Sequence, residues 1–110
     1  MARGLMPAFK QTLDYWIAFD DEEIRPLAMG IATLLRRVGH RVEYTLRDQQ
    51  LGKQLKAATA AGAARAVVLR VELLAKEQAL VVRNLAEGGE EQYPVSTWLE
   101  GLSAQAHDGA

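Results

Sequence analysis

The chain has 110 residues, of which 49% are hydrophobic and 25% are charged, and its formal net charge is -1 at pH 7. This composition predicts a single globular domain with its own core and argues against wholesale disorder. The absence of cysteine excludes disulfides, thiolate metal sites and cysteine nucleophiles. No apolar run reaches the roughly 18–20 residues of a membrane span, and no signal peptide is evident. We therefore expect a cytoplasmic protein that makes no membrane contact.

The first half of the chain alternates between strand and helix patterns. Residues 1–12 show no period, and we expect them to be flexible. Residues 13–19 are rich in aromatic and β-branched side chains, which indicates a buried strand. The acidic residues 20–23 complement the positive end of a following helix, which Asp20 or Asp21 caps. An apolar stripe over residues 24–38 predicts that helix, and Gly39 is suited to end it.

The second half adds a helix and then mostly strands. Residues 41–46 predict a second strand, residues 47–50 a polar turn, and residues 51–62 a second helix that Gly62 ends. Three further strands are predicted at residues 66–69, at residues 79–83 and before Tyr93. The pair Gly88-Gly89 indicates a turn between the last two strands. A short amphipathic helix follows Pro94, and we expect a flexible tail over residues 103–110.

The predicted element order is therefore β-α-β-α-β-β-β-α. Alternating strands and helices favour parallel strands joined by right-handed crossovers. The two-glycine turn favours an antiparallel hairpin at one edge of the sheet. The sequence thus predicts a three-layer α/β/α fold with a mixed five-stranded sheet and three helices, in one domain over residues 13–102.

The sequence offers no set of residues suited to catalysis. His40 and His107 are its only histidines and lie far apart in the chain, and no glycine-rich phosphate loop is present. The acidic residues 20–23 are an alternative as a Mg²⁺ site, although complementing a helix dipole explains them more simply. We therefore predict no catalytic residue, no metal site and no cofactor.

A cluster of cations and glutamines lies between residues 41 and 56. Arg47 falls where the second strand gives way to the second helix, and Lys53 and Lys56 follow one and two turns into that helix. Open α/β sheets bind ligands at such a junction, and helix N–H groups favour anions there. Lys and Arg pair with phosphates, and Gln and Arg pair with base edges. The members are Arg41, Arg47, Gln49, Gln50, Lys53, Gln54 and Lys56. The cluster indicates RNA contact, and a solvated helix face is the alternative.

The same region resembles the C-terminal anticodon-binding domain of histidyl-tRNA synthetases. The similarity is carried by Gly-His-Arg-Val-Glu-Tyr-Thr-Leu-Arg at residues 39–47, by Leu-Gly-Lys-Gln-Leu-Lys-Ala-Ala at residues 51–58 and by Gly62-Ala63. Val82-Arg83-Asn84-Leu85, followed by glycines and Glu90, resembles the family's hairpin. The likeness extends from about residue 13 to residue 102.

The resemblance implies a sheet whose fourth strand runs against the others, and a domain that binds the tRNA anticodon stem and loop without chemistry. Aminoacylation in that family belongs to a separate catalytic domain, whose motifs this chain lacks. If the domain binds RNA, we expect Arg47 and Lys53 to contact phosphates and the glutamines to approach bases. The predicted RNA-binding residues are Arg47, Gln49, Gln50, Lys53, Gln54 and Lys56.

Departures from the family pattern favour a second interpretation. Asp48-Gln49-Gln50 replaces the family's Gly-Arg-Ser, which removes a cation and adds an acid. A divergent paralogue would then serve as a protein-interaction or regulatory module, as in the histidyl-synthetase-like regulatory subunit of ATP phosphoribosyltransferase. Its partner would be a catalytic synthetase domain or a second copy of the chain. Surfaces around Leu73-Leu74 and Tyr15-Trp16 are candidates for such a contact.

Overall fold

The structure, a computed structural model, describes residues 12–44 and 50–108, and their side chains as far as residue 102. The elements are β1 (Leu13–Phe19), a 3₁₀ turn (Glu22–Ile24), α1 (Arg25–Arg37), β2 (Val42–Tyr44), α2 (Leu51–Ala60), β3 (Ala63–Leu69), α3 (Val71–Glu77), β4 (Ala79–Asn84), β5 (Glu90–Pro94) and α4 (Val95–Asp108). The predicted flexible start therefore lies outside the described residues, apart from Thr12.

The five strands form one mixed sheet in the order β2-β1-β3-β4-β5. β1 is parallel to both of its neighbours, whereas β4 is antiparallel to β3 and to β5. The predicted α/β class, the five strands and the single reversed strand are thereby confirmed.

Strand alternation divides the core between the two faces of the sheet. On one face, side chains of β1, β3 and β4 pack against α1 and α4. That cluster contains Ile17, Phe19, Val67, Leu69 and Leu80 from the strands, Ala28, Ile31 and Leu35 from α1, and Leu102 from α4. The alternate residues Ala18, Ala66 and Val68 are buried on the opposite face, where α2 contacts β1 and β3.

Both ends of the first helical segment follow the sequence pattern. The Asp21 carboxylate accepts a hydrogen bond from the Glu23 N–H at 2.8 Å and so caps the 3₁₀ turn. Beyond α1, Gly39 adopts φ 105°, and the next N–H, that of His40, donates to the Leu35 carbonyl at 3.0 Å. This is the hydrogen bond of a glycine-ended helix, as predicted for Gly39.

The structure adds a helix to the three that were predicted. α3 is only seven residues long, too short to be stable by itself, and tertiary packing supports it. Leu74 packs against the core, and Asp20 accepts a hydrogen bond from the Val71 N–H at 2.9 Å. Leu74 is therefore half-buried within the domain.

The last helix, α4, is longer than predicted. It continues to Asp108, six residues into the segment that was expected to be a flexible tail. In the described part of the chain, no helix combines the length and the apolar character that crossing a bilayer requires.

Candidate nucleic-acid interface

α2 carries two of the cations that were predicted from the sequence to contact RNA. Gln50 immediately precedes the helix, Lys53 and Lys56 lie within it, and all three are exposed. Residues three apart are neighbours on a helix surface, so the two ammonium groups share one side of α2. The predicted contacts Arg47 and Gln49 lie outside the described residues.

The predicted role of Gln54 at a base needs correction. Its side chain is only 1% exposed, and it points under the helix to the backbone at the end of β1. The Gln54 Oε1 accepts a hydrogen bond from the Phe19 N–H at 3.0 Å, and its Nε2 donates to the Phe19 carbonyl at 2.6 Å. Gln54 lies one turn before the buried Ala58, on the side of α2 that faces the sheet.

A groove of about 530 Å³ separates α2 from the β4–β5 hairpin. Lys56 and Thr59 line it from the helix, and Arg83 and Asn84 line it from β4. Arg83 pairs with Ala66 in the sheet, so its side chain lies on the α2 face, where it is exposed. Its position next to the Gly-Gly hairpin was visible in the sequence, but its proximity to α2 depends on the strand order.

Asn84 fixes the shape of the hairpin at this groove. Its Oδ1 accepts a hydrogen bond from the Glu87 N–H at 2.9 Å, and its carbonyl accepts one from the Gly88 N–H at 2.8 Å. Gly88 and Gly89 adopt φ 85° and 91°, a backbone conformation that glycine tolerates best. Asn84 therefore sets the backbone of the hairpin at the edge of the groove.

The interface carries uncompensated charge of both signs. Lys53, Lys56 and Arg83 form no ion pair with any residue that the structure describes. Glu90 stands opposite Arg83 across the hairpin, yet the two side chains are not within ion-pair distance. A polyanion would therefore meet three cations and, at the rim, at least one repelling carboxylate.

The acidic residues 20–23 act on the backbone and on a neighbouring cation. Asp20 and Asp21 accept backbone hydrogen bonds at the starts of α3 and of the 3₁₀ turn. Glu22 forms a two-point pair with Arg25 at 2.9 and 2.8 Å. The hydrogen-bonded guanidinium holds the pKa of Glu22 below its ordinary value. Among the side chains that the structure describes, no group of three or more potential metal ligands comes together.

Comparison with known proteins identifies the domain. Residues 7–105 match the family described as the anticodon binding domain, which covers most of the chain. The chain belongs to this family. Its curated relatives point to the histidyl-tRNA synthetase form of the anticodon-binding domain.

Two curated relatives are histidine–tRNA ligases. The protein from Opitutus terrae is 37% identical over 93 residues, a match that covers 84% of this chain and 21% of the relative. The protein from Natronomonas pharaonis is 30% identical over 95 residues, a match that covers 22% of that relative. The chain therefore spans about a fifth of the length of these relatives.

Solved structures share the fold of this anticodon-binding domain. Apo histidyl-tRNA synthetase from S. aureus matches with a TM-score of 0.72 and 21% identity, over 82% of this chain and 26% of that one. The RNA binding domain of threonyl-tRNA synthetase from Cryptosporidium parvum matches with a TM-score of 0.67 and 13% identity, over 88% and 24%.

Proposed function

We propose that this domain binds the anticodon stem-loop of a tRNA, through the exposed side of α2 and the groove beside it. The observation that carries the proposal is the meeting of Lys56 and Arg83 at one groove, with Lys53 one turn away, in a domain of the anticodon-binding family. The relatives' names favour a histidine tRNA.

Each side chain has a role that its chemistry allows. Lys53, Lys56 and Arg83 neutralise backbone phosphates, because they are exposed cations without an acidic partner in the described part of the chain. Gln50, which is exposed at the start of α2, offers its amide group to the edges of unpaired bases. Arg47 and Gln49, which precede α2 in the chain, stay in the proposal as further RNA contacts on the sequence alone.

The domain itself performs no chemistry in this proposal. Its relatives are ligases of about five times the aligned length, so aminoacylation would belong to a catalytic domain on the same or another polypeptide. The activity of the whole protein would then depend on this domain for holding the tRNA, and its place would be the cytoplasm.

Reversal of the helix charges tests the proposal. We expect the 110-residue chain to bind a histidine tRNA anticodon stem-loop weakly, with a log–log salt slope of roughly -2 to -3. Lys53→Glu combined with Lys56→Glu should weaken binding at least about tenfold at low salt and flatten the slope by roughly 1.5, because two phosphate contacts are lost. Fluorescence anisotropy of a labelled stem-loop measures both quantities.

The matched control reverses two exposed cations elsewhere, Arg37→Glu and Lys76→Glu, and changes the net charge equally. If the control weakens binding as much as the α2 variant, binding is non-specific. If the parent shows no salt-dependent binding even at low ionic strength, the RNA proposal fails and a protein-contact role takes its place.

A further inference from the structure

The end of β1 extends beyond the described part of its neighbour β2. The described part of β2 ends at Tyr44, and its last pairing there joins Tyr44 to Ile17. Phe19 lies two residues further on, with β3 on its other side. Its N–H and carbonyl therefore face a position where a longer β2 would have supplied partners, and buried backbone groups need partners.

Gln54 occupies that position with its side chain. The two hydrogen bonds to the Phe19 N–H and carbonyl, at 3.0 and 2.6 Å, use both ends of the amide. They reproduce the donor and acceptor that a strand residue would offer. The result is a directional connection between the first turns of α2 and the end of β1.

Small side chains make up much of the contact between α2 and the sheet. Besides Gln54, α2 fully buries only Ala58, and it faces the buried residues Ala18, Ala66 and Val68 of the strands. Alanine surfaces interdigitate little and so restrain sliding and rotation weakly. At the start of α2, the side chain of Gln50 makes no capping hydrogen bond.

We propose that Gln54 is a positioning residue for RNA binding: its two bonds to Phe19 set the rotation of α2 and thereby the placement of Lys53 and Lys56. Lys53 directly precedes Gln54 and Lys56 follows two positions later, so a rotation of the helix moves both ammonium groups. This inference rests on the proposed RNA-binding function.

Gln54→Glu provides a reversible test. Above its pKa the carboxylate still accepts from the Phe19 N–H but repels the Phe19 carbonyl. When protonated, it offers an acceptor and an O–H donor, as the amide does. Burial raises the pKa of such a carboxyl above its usual value near 4.3, so the change should fall within an accessible pH range.

At pH 8 we expect Gln54→Glu to bind the stem-loop about five- to tenfold more weakly than the parent, with a salt slope flatter by roughly 0.7–1, equivalent to one phosphate contact. At pH 5 its affinity and slope should return toward those of the parent, which is measured at each pH. Gln54→Met, which is similar in length but forms neither bond, should stay weak at both pH values.

Val67→Ala is the matched control for stability. It removes buried volume on the α1 face of the sheet and should cost stability without touching α2. We expect it to keep the parental salt slope at a temperature where every variant is folded. If Gln54→Glu is unfolded at pH 8, Gln54→Met compared with Val67→Ala decides the question.

Amide NMR shifts of α2 separate this inference from the proposed function. If the parent, Gln54→Met and Gln54→Glu bind the stem-loop with the same salt slope at pH 8, the positioning role is overturned and the RNA-binding function stands. If the parent does not bind RNA, the proposed function fails. In that case the NMR spectra still test the positioning role. Amide signals of α2 that stay unchanged in the Gln54 variants would refute it, and changes larger than those in Val67→Ala would support it.

Discussion

Tyr15 lies within a set of aromatic and charged side chains beneath α4. Its ring makes edge-on contacts with His40 and Trp98, at centroid distances of 5.1 and 6.3 Å. Burial raises the pKa of its hydroxyl above the ordinary value of 10.0, and the charge and hydrogen bond of Arg65 offset part of this effect. The folded domain therefore holds the Tyr15 proton more tightly than the unfolded chain does.

The direction of this shift predicts how stability changes at high pH. Because the pKa of Tyr15 is higher in the folded domain, the protonated hydroxyl contributes to the stability of the fold. This contribution is complete below the pKa of the unfolded chain, near 10, and is lost as the pH rises through the pKa of the folded domain. We expect Tyr15→Phe to reduce the fall in melting temperature above pH 10. Its absorbance titration at 295 nm should lack the latest tyrosinate component of the parent. Parallel stability curves for the two proteins above pH 10 would contradict the prediction.

Individual polar residues were harder to interpret from sequence than apolar ones. Ile17 and Val67 are fully buried, as their uninterrupted apolar runs predict. By contrast, Gln54 and Asp20 bond to backbone groups 35 and 51 residues away. A polar side chain suits a ligand and a distant backbone group equally well, and only the fold brings that backbone group within reach.

At the scale of an element, α3 depends on an unusual residue at its end. Gln78 adopts φ 50° and ψ 44°, and in the described part of the chain it is the only residue other than glycine with positive φ. Its N–H donates to the Leu74 carbonyl, and its carbonyl accepts from the Val95 N–H, at 3.0 and 2.9 Å. The strained backbone thus connects α3 to the start of α4.

Gln78→Gly should therefore stabilise the domain. The left-handed conformation costs roughly 1–2 kcal/mol for a residue with a Cβ, and the greater freedom of glycine in the unfolded chain offsets part of the gain. We expect a net stabilisation of about 0.5–1 kcal/mol in urea unfolding. Gly39→Ala is the converse control, because its φ is 105° and no atom lies within 4 Å of an added Cβ. A lower urea midpoint for Gln78→Gly would refute this account.

Elements with long patterns could be predicted, and α3 could not. The apolar stripe of α1 spans nearly four turns and is flanked by Asp21 and Gly39, which mark its ends. α3 has two turns, begins after Arg70 without a side-chain cap and ends at Gln78 rather than at a glycine. α3 is stabilised by the packing of Leu74 against the core and by the hydrogen bond from its first N–H to Asp20, which follows β1. Both contacts join residues far apart in the chain, so a short stretch of sequence cannot reveal them.

At the scale of the whole molecule, cations on α2 and acids on β5 offset each other. The net charge is only -1, so long-range attraction of a polyanion is weak. Lys53 and Lys56 provide local attraction on α2, whereas Glu90 and Glu91 are exposed on β5. RNA affinity should therefore depend more on where a charge lies than on the total charge.

Glu90→Gln compared with Glu100→Gln tests this dependence. Both residues are exposed, and both substitutions change the net charge by one unit. Glu90 lies opposite Arg83, which lines the groove, whereas Glu100 belongs to α4, which packs with α1 on the other face of the sheet. We expect Glu90→Gln to tighten stem-loop binding about two- to fivefold at low salt, the range of a screened surface charge pair. Glu100→Gln should have a smaller effect, because α4 lies on the other face of the sheet from the groove and salt screens distant charges more strongly. The difference in affinity between Glu90→Gln and the parent should shrink as salt is added.

Equal gains in affinity from the two substitutions would contradict this prediction. They would mean that net charge governs the affinity, and the groove would no longer be supported as the place where the RNA binds.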